Sequence, residues 1–345
     1  MARKKTKAPS RRKAKRTAPA PFKWRWIWAT ALLLAGTTLG VLYHYNIVIW
    51  PGWNWSTKPA GRPIQNTTEL QIALARCGYS PGSIDGIPGG QTRIALLAYQ
   101  RANQLPESGT LDSETAEQLY IQEPVLAQLE LTAKDFRKIA PAPKTWRERG
   151  ELPSMAYNSI LEMVAEHSQS HPDYISQLNP KLNWNQLQPG TRVVVPLVPD
   201  YNIPTPIAYL RIQLSKRTLQ AFDAQDQLIF HCPVSIARNI EKRPSGELNV
   251  KVRVQDPNYT FNPEILTGTA QREGITSKFI IPPGPNNPVG TVWIGLNLPS
   301  YGIHGTPVPE KVGRTESSGC FRLANWNAEI LLKAVTVGQR VLVEP

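Results

Sequence analysis

A cysteine and a histidine lie sixteen residues apart near the C-terminal end of this 345-residue chain. His304 stands in the run Tyr-Gly-Ile-His-Gly-Thr, and Cys320 stands in the run Ser-Ser-Gly-Cys-Phe-Arg. A free thiol is mostly protonated at neutral pH, and it becomes a good nucleophile when a nearby imidazole takes its proton. The pair therefore predicts a thiolate nucleophile with His304 as its general base.

The residues around this pair suit the binding of an acyl substrate. Backbone amides at Gly319 and Cys320 could stabilise an oxyanion, and in an extended segment Arg322 would point to the same side as Cys320. Alone, Cys320 would be explained as an inert buried thiol and His304 as a structural histidine. Together with the surrounding glycines and Arg322, the two residues indicate catalysis.

The same segment resembles the signature of the L,D-transpeptidase (YkuD-type) catalytic domain, in which an HGT element precedes Ser-x-Gly-Cys-x-Arg. The resemblance extends over residues 207–345 and includes the runs 283–290 and 293–296. It implies that Cys320 is the acylated nucleophile and that His304 is the general base and acid. The other roles it implies are orientation of the imidazole by Gly305, an oxyanion hole at Gly319, and substrate binding by Arg322, Ser318 and Tyr301. Ser318 departs from the histidine that many members have at this position.

Short strands dominate the same region. Apolar and polar residues alternate over 208–214 and again over 248–255, as expected for strands with one buried face. Turn residues separate these runs, and only 328–335 has a clear helical pattern. We therefore expect residues 207–345 to form a mainly-β sandwich or barrel.

Two smaller modules are predicted upstream, separated by linkers at 50–64 and 123–152. Residues 65–122 form a predicted three-helix domain that resembles the small peptidoglycan-binding domain, although any small helical bundle would share the helical spacing. Residues 153–199 predict a small α/β module that resembles LysM, with a generic spacer as the alternative. The resemblances imply peptidoglycan as the partner.

The N-terminal region is strongly basic. Residues 1–25 hold eleven Lys and Arg and no acidic residue, whereas the rest of the chain is close to neutral. A basic patch on the folded body is therefore not indicated, and no nucleic acid partner is expected.

An apolar segment follows at residues 26–49. The 23 residues from Ile27 to Ile49 carry no charge, and a helix of this length is long enough to cross a bilayer. Aromatic residues flank both ends of the segment. The positive-inside rule then predicts a single-pass helix in a bacterial inner membrane, with a cytoplasmic tail and a periplasmic catalytic domain. A cleaved signal peptide and a buried core helix are the alternatives.

The remaining thiols and histidines do not indicate a further site. Cys77 and Cys232 are expected to be buried and inert, and no histidine has metal-ligand spacing to a cysteine. We expect neither a metal nor a cofactor, because the donor amide itself supplies the energy of the acyl bond.

Together with the apolar segment, the resemblance implies a membrane-anchored L,D-transpeptidase acting on peptidoglycan stem peptides through a cysteine thioester. The products would be 3–3 cross-links or conjugates with another amine acceptor. The alternatives are a non-catalytic peptidoglycan-binding anchor and an L,D-carboxypeptidase that uses the same site.

Overall fold

A computed structural model describes residues 61–317 and 319–345. The first part is a small helical domain closed by a two-stranded sheet. Asn66 caps its first helix by accepting a hydrogen bond from the Glu69 amide, and apolar residues such as Ile72 and Leu96 form its core. Its elements are β1 (Arg62–Pro63), α1 (Thr67–Arg76), α2 (Gly90–Ala102), α3 (Ser113–Ala116) and β2 (Tyr120–Ile121).

A second unit follows and is built around an antiparallel strand pair. The stretch 123–152, which we expected to be a linker, supplies the first of these strands and two short helices. The apolar face of the longer helix packs with residues of both strands. The elements are β3 (Leu126–Glu130), α4 (Ala133–Phe136), α5 (Trp146–Gly150), α6 (Ile160–His167), α7 (Pro172–Leu178) and β4 (Arg192–Pro196).

The C-terminal domain contains the largest sheet. Its strands and helices are β5 (Tyr209–Gln213), β6 (Thr218–Phe222), β7 (Leu228–Pro233), β8 (Gly246–Gln255), β9 (Tyr259–Phe261), α8 (Thr267–Glu273), β10 (Phe279–Ile281), β11 (Val292–Leu296), β12 (Gly302–His304), β13 (Phe321–Arg322), α9 (Asn325–Ala334) and β14 (Arg340–Glu344). Eight of the strands form one mixed sheet in the order β13-β12-β11-β8-β14-β5-β6-β7, and β9 and β10 form a separate hairpin.

The predicted sandwich or barrel is wrong, because the sheet is open and curls into a half-barrel. Its buried face packs against α9, whose Ala328 and Leu331 are fully buried in the same core as Leu210 and Ile294. Register shifts in β8–β11 and β6–β7 accompany the curl. Alternation along a strand shows that one face is buried, but the partner that buries it here is a helix instead of a second sheet.

The helical domain covers the free edge of β7. The Ser80 amide donates to the carbonyl of His231 at 2.8 Å, and the His231 amide donates to the carbonyl of Gly78 at 3.0 Å. An uncovered edge would expose unpaired backbone groups to another chain. The helical domain therefore protects one end of the large sheet.

The predicted membrane placement also needs correction. In the part of the chain that the structure describes, no helix combines the length and apolar character needed to cross a bilayer. The helix predicted at 26–49 and the tail at 1–25 lie outside the described residues. The predicted fold class with a transmembrane helix and the predicted single-pass inner-membrane localisation are therefore not supported.

Candidate active site

His304 and Arg322 lie on two neighbouring parallel strands, and Cys320 directly precedes the second of them. In the register of β12 and β13, His304 is paired with Arg322 and Ile303 with Phe321. Ile303 and Phe321 are buried in the core beneath the sheet. Because side chains alternate along a strand, His304, Arg322 and Cys320 face the opposite side together. The pairing of these strands thus brings together residues that 15 intervening positions separate in the sequence.

The imidazole of His304 has a defined orientation. Its Nδ1 lies 2.6 Å from the carbonyl oxygen of Gly305, and because a carbonyl can only accept, Nδ1 carries the proton. Trp293 stacks against the ring from the paired position on β11. Burial lowers the pKa of His304 to about 4, although the bond to Gly305 opposes this shift. The ring is therefore neutral at pH 7, with Nε2 as a proton acceptor.

The Cys320 thiol is hydrogen-bonded to a backbone carbonyl. Its Sγ lies 3.3 Å from the Ser300 oxygen, and no hydrogen bond joins the described atoms of Cys320 and His304. Burial raises the pKa of the thiol, against the opposing effects of the Gly302 amide and the Arg322 charge. The site therefore holds a neutral thiol and a neutral imidazole, whereas the sequence indicated a thiolate–imidazolium pair.

A serine hydroxyl holds the backbone at Gly319 and Cys320. Ser317 Oγ donates to the Cys320 carbonyl at 2.6 Å and accepts from the Gly319 amide at 3.2 Å. The Gly319 amide, which we expected in an oxyanion hole, is thus already hydrogen-bonded to the Ser317 hydroxyl. Tyr301 donates its hydroxyl proton to the carbonyl of Lys242 at 2.9 Å, which ties the strand entry to a surface loop. Ser318 lies outside the described residues.

Asn325, at the start of α9, fixes the loop that follows His304. Its Oδ1 accepts from the Thr306 amide at 2.9 Å, and a Cβ added at Gly305 would lie 2.1 Å from that oxygen. Gly290 approaches the same oxygen equally closely and has a positive φ of 63°. Sequence reasoning missed Asn325 and Ser317, although both lie within five residues of Cys320 and could have been recognised as side chains that cap a loop.

A small apolar cluster stands over the site. It joins the β9–β10 hairpin and α8 to Trp146 of α5, with Phe261 fully buried at its centre. The ring centroids of Trp146 and Phe261 are 5.2 Å apart. Trp146 of this cluster lines the same cavity as Arg322, so the cluster lies beside the strand that follows Cys320. The stretch expected to be a linker thus helps to wall the site.

The other two cysteines differ in their exposure. Cys232 is fully buried in β7, whereas Cys77 is exposed at the end of α1, contrary to our expectation of burial. All three cysteines are free. Within residues 61–317 and 319–345, no cluster of three or more His, Cys, Asp or Glu could hold a metal ion.

Comparison with known proteins identifies two domains. Residues 207–343 match the family model described as "L,D-transpeptidase catalytic domain" (YkuD), and residues 64–119 match the one described as "Putative peptidoglycan binding domain". Neither of these two matches extends over residues 153–199.

Curated relatives share the first of these domains. The "Putative L,D-transpeptidase YkuD" of Bacillus licheniformis is 28% identical over 187 residues, which span 54% of this chain and 93% of the relative. The protein of the same name from Bacillus subtilis is 27% identical over 168 residues, 48% of this chain and 82% of the relative. Among solved structures, an L,D-transpeptidase from Xylanimonas cellulosilytica covers 86% of this chain and 100% of its own at 14% identity, with a TM-score of 0.34.

The assignment rests on the sequence matches, which coincide with the strands that carry Cys320, His304 and Arg322. The chain therefore carries a YkuD-type L,D-transpeptidase catalytic domain and an N-terminal peptidoglycan-binding domain, and it is a transpeptidase that acts on peptidoglycan.

Proposed function

We propose that the enzyme works through a thioester on Cys320 and joins two peptidoglycan stem peptides in a 3–3 cross-link. The supporting observation is the register of β12 and β13, which puts Cys320, His304 and Arg322 on one face of the sheet. The Nδ1–H tautomer of His304 leaves Nε2 free to accept a proton, as a general base requires.

The first half-reaction forms the thioester. The Cys320 thiol turns from the Ser300 carbonyl towards Nε2 of His304, which takes its proton as sulfur attacks the carbonyl of the stem's third residue. The tetrahedral oxyanion meets the Cys320 amide, and the Gly319 amide joins it by giving up the Ser317 hydroxyl. As the C–N bond breaks, Nε2 returns the proton to the amine of the departing D-Ala.

The second half-reaction transfers the acyl group. The side-chain amine of another stem attacks the thioester carbonyl, and Nε2 of His304 takes a proton from this amine. Collapse of the intermediate forms the new amide, breaks the C–S bond and restores the thiol with that proton. Water as acceptor would give an L,D-carboxypeptidase, and another amine would give a conjugate.

The non-catalytic units have roles in the same proposal. The helical domain would hold peptidoglycan near the active site and raise its effective concentration. We also propose that the second unit binds glycan, a role suggested by the resemblance of residues 153–199 to LysM. Deletion of either unit should then weaken sedimentation of the protein with purified peptidoglycan.

Incubation with purified sacculi tests the proposed reaction. Digested products should contain new 3–3 dimers, and the intact protein should gain the mass of a tripeptide acyl group. Cys320→Ala should abolish both, whereas Cys77→Ala, a matched change at an exposed thiol, should alter neither.

The alternatives predict different products. Tripeptides without dimers would indicate that the enzyme catalyses the carboxypeptidase reaction instead of cross-linking. Unchanged peptides, together with retained binding to peptidoglycan, would support a non-catalytic anchor. Dimers formed equally well by Cys320→Ala would rule out the thioester.

A further inference from the structure

A cavity of about 280 Å³ opens on the catalytic face next to Arg322. Thr306, two residues beyond His304, lines the cavity, and Lys311 and Val312 form another part of the wall. Trp146 and Arg149 line it as well, although they belong to α5, which precedes the catalytic domain in the chain. The cavity is therefore built from both the catalytic domain and the segment before it.

The cavity is cationic. Arg149, Lys311 and Arg322 all line it, and none of its lining residues is acidic. Among the described residues, none of the three cations forms an ion pair, whereas arginines elsewhere do, for example Arg62 with Glu69. Arg322 Nε is buried and has no hydrogen-bond partner among the described atoms. Three cations around one cavity repel one another unless an anion neutralises them.

Arg149 is held in place for such an anion. Its Nε donates to the Pro143 carbonyl at 2.9 Å, and its guanidinium carbon lies 5.4 Å from the centroid of the Trp146 ring. The terminal nitrogens form no hydrogen bond with described residues, so they can donate to a ligand. The Trp146 amide donates to Glu273 at 2.8 Å, which fixes the start of α5 against α8.

The position of the cavity indicates which part of a substrate would reach it. Arg322, which lines the cavity, follows Cys320 by two residues on the face that also carries His304, and Thr306, two residues after His304, lines the cavity as well. A peptide whose carbonyl meets Cys320 could place a neighbouring residue in the cavity. The guanidinium forks of Arg149 and Arg322 match the planar, bidentate geometry of a carboxylate.

We propose that this cavity is a subsite for a free carboxylate of the stem peptide and that Arg149, from outside the catalytic domain, determines specificity there. The proposal rests on the proposed function, because it names a part of the same substrate site. It also gives α5 a role in choosing the donor: a stem whose carboxylate is amidated would lose the charge that the cavity recognises.

Binding to the Cys320→Ala protein tests the subsite without catalysis. Two synthetic tetrapeptide stems are titrated by calorimetry. One has a free carboxylate on the residue that precedes the residue whose carbonyl is attacked, and in the other this carboxylate is amidated. In the full-length chain, Arg149→Gln should weaken binding of the carboxylate peptide about tenfold, as expected for a lost charge-assisted hydrogen bond, and leave the amidated peptide unchanged. Lys311→Gln should also weaken binding of the carboxylate peptide alone, by a smaller factor.

Arg147→Gln is the matched control, because Arg147 lies on the same short helix, is exposed and does not line the cavity. It should leave both affinities unchanged. Equal losses for both peptides in Arg149→Gln, or equal effects of Arg149→Gln and Arg147→Gln, would overturn the proposal. In the active protein, Arg149→Gln should raise KM for the carboxylate donor alone and leave kcat unchanged.

The experiments distinguish failure of the proposed thioester reaction from failure of the proposed carboxylate subsite. If neither peptide forms a thioester on wild-type Cys320 but the calorimetric selectivity holds, the thioester reaction is wrong and the carboxylate subsite remains. If both peptides acylate Cys320 but show no dependence on Arg149, the reaction remains and the subsite is wrong.

Discussion

Asn325 Nδ2 lies 3.1 Å from Glu166 Oε1, so a helix of the second unit is bonded to the side chain that holds the loop after His304. On its other side, Asn325 accepts from the Thr306 amide at 2.9 Å. Thr306 follows Gly305, whose carbonyl holds the His304 ring. Glu166 also accepts from the Tyr157 hydroxyl at 3.2 Å. The position of His304 thus depends on contacts that extend outside the catalytic domain.

Asn325→Ala should impair both stability and acylation. The buried Thr306 amide would lose its acceptor, which costs about 1–3 kcal/mol of the free energy of unfolding. The His304 loop would also become less well positioned, so peptide acylation should slow. Urea denaturation and the rate of thioester formation measure the two effects.

Asn327→Ala provides the control on the same helix. Asn327 is equally buried and donates to Ser80 Oγ at 3.1 Å, but it does not contact the His304 loop. It should lose stability without a change in acylation rate. Equal slowing by both variants would mean that Asn325 acts only through stability.

Glu166 should make the protein less stable as pH rises. Burial, supported by the charges of Glu329 and Glu162, raises its pKa to about 8 against the hydrogen bonds from Asn325 and Tyr157. The folded protein therefore keeps a proton that the unfolded chain loses near the ordinary pKa of 4.5. Stability is greatest below that value and is lost progressively as pH rises to about 8.

Glu166→Gln should remove this part of the pH dependence. The free energy of unfolding, measured by urea at about pH 5 and about pH 8, should change less in the variant than in the wild type. Glu151→Gln, a neutralisation at an exposed glutamate, should retain the wild-type slope. If the free energy of unfolding changed equally with pH in all three proteins, the buried proton could not be assigned to Glu166.

Gly305→Ala should destabilise the protein by a steric clash with Asn325. The new Cβ would lie 2.1 Å from Asn325 Oδ1, closer than any tolerable contact, whereas the nearest atom outside the Asn325 side chain, Gly290 Cα, is 3.3 Å away. Removing the Asn325 side chain creates the missing space. The loss of unfolding free energy in Gly305→Ala, Asn325→Ala should therefore be smaller than the sum of the two single losses. Additive losses in this double-mutant cycle would show that the clash is relieved elsewhere.

The rate at which Cys320 is alkylated should keep falling as pH is lowered and should not reach a plateau. Because burial raises the pKa of the thiol and lowers that of His304 to about 4, neither is charged near neutrality. The rate of reaction with iodoacetamide should then rise about tenfold per pH unit from about pH 6 to about pH 8. A constant rate across this interval would instead show a thiolate–imidazolium pair. His304→Asn should abolish peptide acylation and keep the rising alkylation profile.

The local parts of the site could be predicted from sequence better than its long-range contacts. The Cys320 and His304 motifs and the alternating strands around 208–214 and 248–255 are signals carried by adjacent residues. Alternation also gives the face on which Arg322 lies once the segment is known to be extended. It does not give the strand that pairs with β13, because that choice depends on the folding of an irregular segment between His304 and Cys320.

The same limit explains the errors. Alternation identified buried strand faces but could not show that α9, and no second sheet, covers them. The stretch 123–152 contains many charges and prolines, so it resembled a linker, although Trp146 packs on Phe261 and Arg149 lines the active-site cavity. Contacts of this kind join residues more than 100 positions apart, and no local pattern encodes them.

The covered edge of β7 predicts that the catalytic domain associates when it is separated from the helical domain. A fragment of residues 207–345 would lose the backbone bonds from Gly78 and Ser80 to His231, and it would expose Phe222 and Leu228, which are buried against the helical domain. Unpaired strand edges beside apolar surface promote association between chains. Analytical ultracentrifugation should therefore detect concentration-dependent oligomers for 207–345 but a monomer for 61–345, and the melting temperature of the shorter fragment should be lower. A monomeric 207–345 fragment with an unchanged melting temperature would mean that the curled sheet is self-sufficient and that the docking of the helical domain serves only to place peptidoglycan near Cys320.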